Sequence, residues 1–258
     1  MLSSNISTEK IILKSWRNFD LHSGWALVCA YENQNLFLRT RMSGKNVLEL
    51  GCGSLPACFG IPNDLMPKKY VATDVSKKLI DAAREVDKRP EYLVKSTMDA
   101  SVPANFFDVI IMRGVLHHLS DPATALRRIK RLLKPGGQLL VYEPNLSSSS
   151  ANLVKWILKT FFNINMEESP YGQLSQNTVR HFIKSVQLEL ANVWYSSLLA
   201  FPLTGDYGRY SILPDNKKIF SKVVTVDRFL SKWLHKLPVL AKWSHFRVIF
   251  LIVKPEMN

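Results

Sequence analysis

Cysteine is scarce: Cys29, Cys52 and Cys58 are the three in 258 residues, and no two stand as Cys-x-x-Cys. That excludes a disulfide-built scaffold and a cysteine-rich zinc site, and it fits a reducing, cytoplasmic setting. Long apolar runs are missing too. No stretch of about 18 uncharged apolar residues occurs, so a spanning helix is not expected. The N-terminal residues include Glu9, Lys10 and Lys14 and lack the unbroken apolar segment of a secretory leader. Acidic residues are outnumbered, 21 against 34 Lys and Arg, leaving a formal charge of +13. The excess is denser late in the chain, with 20 basic and 14 acidic residues in 1–150 but 14 and 7 in 151–258. Such a balance favours phosphates, anionic lipid or acidic partners without choosing among them. At 47% hydrophobic and 21% charged, the composition excludes a disordered chain.

What is present is a rhythm. Residues 8–42 read as helical in two pieces, breaking near His22-Ser23-Gly24. Short apolar strands are expected at 46–51, 70–74, 92–95, 108–112 and 138–142, with amphipathic helices at 77–88 and 124–133. Strand and helix in alternation imply βαβ units and a doubly wound, parallel α/β sheet. Lys134-Pro-Gly-Gly137 reads as the turn between the second of these helices and its strand. Beyond residue 144 the rhythm changes: helices at 151–162, 177–188 and 217–237, the last closed by Pro238, and strands at 193–199 and 246–253. The organisation expected is a helical segment 1–43, a ligand-binding core 44–145, and residues 146–258 completing the same domain.

The most informative stretch is Val47-Leu-Glu-Leu-Gly-Cys-Gly-Ser54. A strand runs into a turn whose glycines let backbone approach a ligand. Asp74 ends the next strand, where an acceptor for ribose hydroxyls is needed. A dinucleotide site wants a third glycine, but Gly51-x-Gly53 is followed by Leu55 and Pro56. Glu49, just before the turn, suits a cationic ligand better than a diphosphate.

These residues resemble the class I S-adenosylmethionine-dependent methyltransferases, in their small-molecule subgroup, over residues 44–143. The resemblance implies a Rossmann-like, mostly parallel seven-stranded sheet with helical insertions capping the active site, and S-adenosylmethionine as cofactor. It implies that Glu49, Gly51 and Gly53 line the methionine and ribose part, and that Asp74 holds the ribose hydroxyls. Met98 and Asp99 match the adenine-binding segment. Phe107 to Pro122 and Leu132 to Gly137 match the fourth-strand segment and the turn before strand five. Leu55 departs from the family, which often has glycine there, and bends the loop differently.

Methyl transfer needs a general base only when the acceptor must lose a proton. His117 and His118 follow the fourth strand at the rim where ligands bind, and either is a candidate base or a histidine packed under its loop. Arg113 is a candidate for a cofactor or acceptor carboxylate, or a loop cation. Glu143 ends the fifth strand as a candidate acceptor contact or a cap for the helix that follows. Asp108 reads as structural, and His181 as a helix-surface residue. No Asn/Asp-Pro-Pro-Tyr/Phe segment follows the fourth strand, which argues against methylation of nucleic-acid bases.

Two late segments, 146–175 and 202–243, are apolar and basic. In the helix from Lys217, the reading sets Phe220, Phe229, Leu230, Trp233 and Leu237 on one face and Lys217, Lys218, Lys222, Arg228, Lys232 and Lys236 on the other. That is the pattern of an interfacial helix, or of a cap packed on the core with a solvated basic face. The function expected is methyl transfer to a hydroxyl or carbon of a small, hydrophobic or lipid-linked acceptor, with contact to an anionic membrane surface. The alternative is a catalytically silent subunit of the same fold that binds and regulates a partner.

Overall fold

The computed structural model describes residues 21–96, 103–145, 148–163, 175–205, 213–234 and 236–256. In chain order the elements are α1 (Gly24–Phe37), β1 (Asn46–Leu50), β2 (Lys69–Asp74), α2 (Lys77–Val86), β3 (Glu91–Val94), β4 (Phe107–Arg113), α3 (Pro122–Leu132) and β5 (Leu133–Pro144). Then follow α4 (Ser149–Phe162), α5 (Gln176–Ser185), β6 (Glu189–Ser196), α6 (Ala200–Leu203), α7 (Lys217–Leu234), α8 (Pro238–Ser244) and β7 (Arg247–Val253).

The strands form one sheet in the order β3-β2-β1-β4-β5-β7-β6. β3, β2, β1, β4 and β5 are mutually parallel, and β7 runs antiparallel between β5 and β6. The order reverses between β1 and β4, and that switch point opens a crevice at the carboxyl ends of these strands. Parallel strands covered on both faces are apolar throughout, and Val109, Ile110, Ile111 and Met112 of β4 are fully buried. Burying one such side chain stabilises by about 1.5–3 kcal/mol. One face packs Leu126 and Ile129 of α3 and Ile183 of α5; the other packs Leu36 of α1 and Ile80 of α2.

Local chemistry sets the helix starts. Ser76 Oγ accepts from Leu79 N–H at 3.3 Å, and Asp121 Oδ1 from Thr124 N–H at 2.9 Å. Asp108 is structural, as the sequence indicates: its two oxygens accept from Asn46 N–H at 2.8 Å and Lys134 Nζ at 2.7 Å.

Three boundaries differ from expectation. Residues 134–137 do not form a separate turn. β5 runs from Leu133, which pairs with Phe107, and the ladder resumes at Gln138 opposite Val109, so the Pro-Gly-Gly run is a bulge within the strand. Gly136 and Gly137 are fixed there by paired bonds with the Lys254 backbone at 3.0 and 2.9 Å. The strand expected at 193–199 is Glu189–Ser196, because it follows the register of β7. The long helix ends at Leu234, and Pro238 opens α8, since proline at a first helical position loses no hydrogen bond.

The late helices are tied down by one buried acid. Asp227 of α7 accepts from Tyr31 Oη of α1 at 3.0 Å, Ser231 Oγ at 3.1 Å, and Leu199 and Ala200 N–H of α6 at 2.7 and 2.6 Å. The packed stripe of α7 is therefore Phe220, Val224, Asp227 and Ser231. This corrects the expected division of that helix. Turning Asp227 inward turns Phe229 and Trp233 outward, 62% and 55% exposed, onto the lysine side. The expected helix at 8–22 lies almost wholly outside the described residues.

Candidate active site

β1 delivers the chain into the glycine turn. Gly51 and Gly53 have φ of +69° and +62°, a region that costs other residues about 1–2 kcal/mol. They differ in surroundings. A Cβ on Gly51 would lie 2.6 Å from Val115 Cγ2, so this glycine serves close packing against the loop after β4. A Cβ on Gly53 would meet nothing within 4 Å, so this backbone borders open space. Asp74 closes the turn from β2: its Oδ2 accepts from Gly53 N–H at 3.0 Å and its Oδ1 from Ser76 N–H at 3.0 Å. Next to Gly53, Ser54 is 3% exposed, and its Oγ has no hydrogen-bond partner among the described residues.

Glu49 is placed differently from the acid expected to face a cationic ligand. It is fully buried, and burial pushes its pKa up against the opposing pull of Arg113, Ala57 N–H and Tyr70. Its carboxylate accepts from Ala57 N–H at 3.0–3.1 Å and from Tyr70 Oη at 2.8 Å. Strand alternation turns it beneath the sheet, where it clamps the far end of the glycine loop. Arg113 is likewise a staple. It donates to Asn33 Oδ1 of α1 at 2.8 Å and to the Leu55 carbonyl. Loop, β4 and α1 are thereby joined at one guanidinium.

Across the crevice, the short 3-10 turn Leu116–His118 follows β4. Glu143, 1% exposed at the end of β5, accepts from Val115 N–H at 3.2 Å and Leu116 N–H at 2.8 Å. Its other oxygen meets His117 Nδ1. So Glu143 caps the turn before it, while the helix after it is capped by Ser148. This corrects the reading of Glu143 as a cap for the helix that follows. His118 lies at the surface with its ring 3.9 Å from that of His117. Desolvation, and then the neighbouring His117, push it down to about 4. His181 is exposed on α5. Met98 and Asp99 lie outside the described residues.

Sequence reasoning missed Tyr70, Asn33 and Ser54. Ser54 had a visible signal, a hydroxyl inside the glycine turn. Tyr70 and Asn33 had none, since their partners are 21 and 80 positions away. A further missed group lies beside the rim. Arg247 at the start of β7 stands 3.6 Å from buried Glu32 of α1 and stacks 3.7 Å over the Phe201 ring.

An open glycine turn, an acid ending the neighbouring strand and an orphaned buried hydroxyl suit a ligand with a ribose and no diphosphate. Residues 48–141 match the family described as the methyltransferase domain. Over that segment the chain is similar to S-adenosylmethionine-dependent methyltransferases, a likeness that supports S-adenosylmethionine as its cofactor. It is 31% identical to an uncharacterized methyltransferase of Schizosaccharomyces pombe over 114 residues, 40% of this chain and 41% of that one. It is 28% identical to a demethylmenaquinone methyltransferase of Listeria welshimeri over 152 residues, 57% of this chain and 59% of that one. The matches thus span less than two thirds of these relatives. In fold it is similar to a [4+2]-cyclase, with a TM-score of 0.58 and 18% identity over 88% of this chain and 81% of that one.

Proposed function

We propose that this chain transfers a methyl group from S-adenosylmethionine to a hydroxyl, or a carbon, of a small apolar or lipid-linked acceptor. One observation carries the reading: the open turn at Gly53 beside Asp74 shares a rim with an imidazole held by a buried carboxylate. Asp74 and the Ser54 hydroxyl are the groups to hold the ribose, with Met98 and Asp99 toward the adenine. S-adenosylmethionine supplies an electrophilic methyl carbon on a good leaving group. Alignment and exclusion of water then supply most of the rate. His117 takes the acceptor's proton at Nε2. Glu143 is its positioning residue, fixing the Nδ1–H tautomer and stabilising the imidazolium once formed, as carboxylates do for catalytic histidines. The relative named for demethylmenaquinone and the apolar cap both support an apolar acceptor.

S-adenosylhomocysteine, titrated while unfolding is followed, tests the reading. At 100 times its dissociation constant a ligand of the native state stabilises by about 2.7 kcal/mol. NADH should leave the melting temperature unchanged; equal stabilisation by NADH sinks the proposal. Asp74→Ala should weaken S-adenosylhomocysteine binding by about 10- to 150-fold, the worth of hydrogen bonds to a charged group. With an acceptor in hand, His117→Asn should lower kcat by about 10²–10⁴. Glu143→Gln should shift the acid limb of the pH profile.

A further inference from the structure

Among the described residues 16 large hydrophobic side chains are exposed, and 11 of them lie on α4, α7, α8 and the α7–α8 link. α8 packs against both α4 and α7, so these helices form one continuous surface. Every exposed large aromatic ring in that set belongs to it: Trp156, Phe161, Phe229, Trp233 and Trp243 are 55–68% exposed. On α7 the outward residues Lys222, Val226, Phe229 and Trp233 recur at helical spacing as one stripe, with Lys236 just beyond its end. Lys236 Nζ sits 4.6 Å above the Trp233 ring. Acids are absent from α4 and α8, and the single one on α7, Asp227, is fully buried. A patch this apolar is larger than scattered surface residues explain.

The topology places this surface at the carboxyl end of the sheet. β5 and β6 end, and β7 begins, at one level, where Pro144 and Ser196 both pair with Arg247. The segment holding α7 and α8 therefore leaves from and returns to the carboxyl rim, and the one holding α4 leaves from it. No described helix is long and apolar enough to cross a membrane.

We infer that α4, α7 and α8 form a docking face for an anionic lipid bilayer, lying on the membrane rather than through it. Aromatic rings seat at the headgroup level, and lysines without competing acids meet the lipid phosphates. Charge complementarity selects this occupant: lysines ring the patch, and α4, α7 and α8 carry no exposed acid to offset them. The inference does not rest on methyl transfer, because it uses no residue of the crevice.

Sedimentation with phosphatidylcholine vesicles containing about one third phosphatidylglycerol tests it, on the full chain at low salt. The wild type should sediment, and its tryptophan emission should shift to the blue. Each lysine near such a surface adds about fivefold to partitioning. K159E, K232E, K236E and K242E together should therefore reduce it by more than about a hundredfold. F229S, W233S and W243S together should remove the emission shift. Both variants replace exposed residues, and S-adenosylhomocysteine affinity, which must stay at the wild-type value, shows that each is folded. The inference is overturned if wild type stays in the supernatant, or if it sediments equally with pure phosphatidylcholine. Binding to a soluble acidic polypeptide with no vesicle binding would overturn it in favour of a protein partner.

Discussion

At the rim, Glu49, Asp74 and Glu143 are each at most 8% exposed, and all three accept backbone N–H bonds. On the cap, rings face solvent and the lysines around them reach no exposed acid of their own helices. The rim's carboxylates are already partnered, and they fix loops whose shape a ligand then reads. The cap is complete only on its inner side, through Asp227 and Phe220. A region whose polar groups already have partners is preorganised, and one that leaves apolar area in water is built to meet something else.

Substitutions can break this contrast. Glu49→Ala leaves Ala57 N–H and Tyr70 Oη buried without their acceptor and should cost about 2–5 kcal/mol in urea unfolding. Trp233→Ser on the cap should stay within about 0.5 kcal/mol. Comparable losses would show that the two regions are not built differently. Within the rim, the two glycines sharpen the comparison. Gly51→Ala adds a clash with Val115 to the backbone strain and should destabilise by more than about 2 kcal/mol. Gly53→Ala should cost about 1 kcal/mol yet weaken S-adenosylhomocysteine binding by more than tenfold, because its Cβ enters open space beside Asp74.

The smallest effect is on pH. The native His118 is held near 4, against 6.5 for an ordinary histidine. Between those values the unfolded chain binds a proton that the folded chain refuses. Stability should therefore fall as pH drops from 6.5 toward 4 and level off below it. Buried His245, also held down by burial, adds in the same direction. His118→Asn should flatten that limb in denaturation measured at several pH values. An unchanged slope would mean that His118 is not desolvated in the folded chain.

The parallel half of the sheet was legible because its strands are short, apolar and punctuated by glycine, proline or an N-cap. Period and punctuation are local properties, and β1, β2 and β4 fall within a residue or two of their expected places. The site was legible in position and less so in role. Gly51, Gly53 and Asp74 come together in one turn, and the loop bonds of Glu49, Arg113 and Glu143 are what the sequence did not display. The direction of a carboxylate depends on which distant N–H groups reach it, and Tyr70 or Leu116 cannot be read from residue 49 or 143. The rotation of α7 was hidden for the same reason. A buried Asp within an apolar stripe reads as a break in the pattern until Tyr31, Leu199 and Ala200 are seen around it.

That carboxylate also sets an order of events. Tyr31 and Asp227 are 196 positions apart, and Glu32 meets Arg247 later still. During synthesis α1 is made long before these two partners, so this side of it stays uncovered until both have followed. Closing so long a loop slows folding more than it weakens the final state, since its entropy grows only with the logarithm of length. Shortened chains that stop before residue 227 should therefore present the buried side of α1 to solvent, with its tyrosine open to proteases and chaperones, even where the parallel strands have already formed.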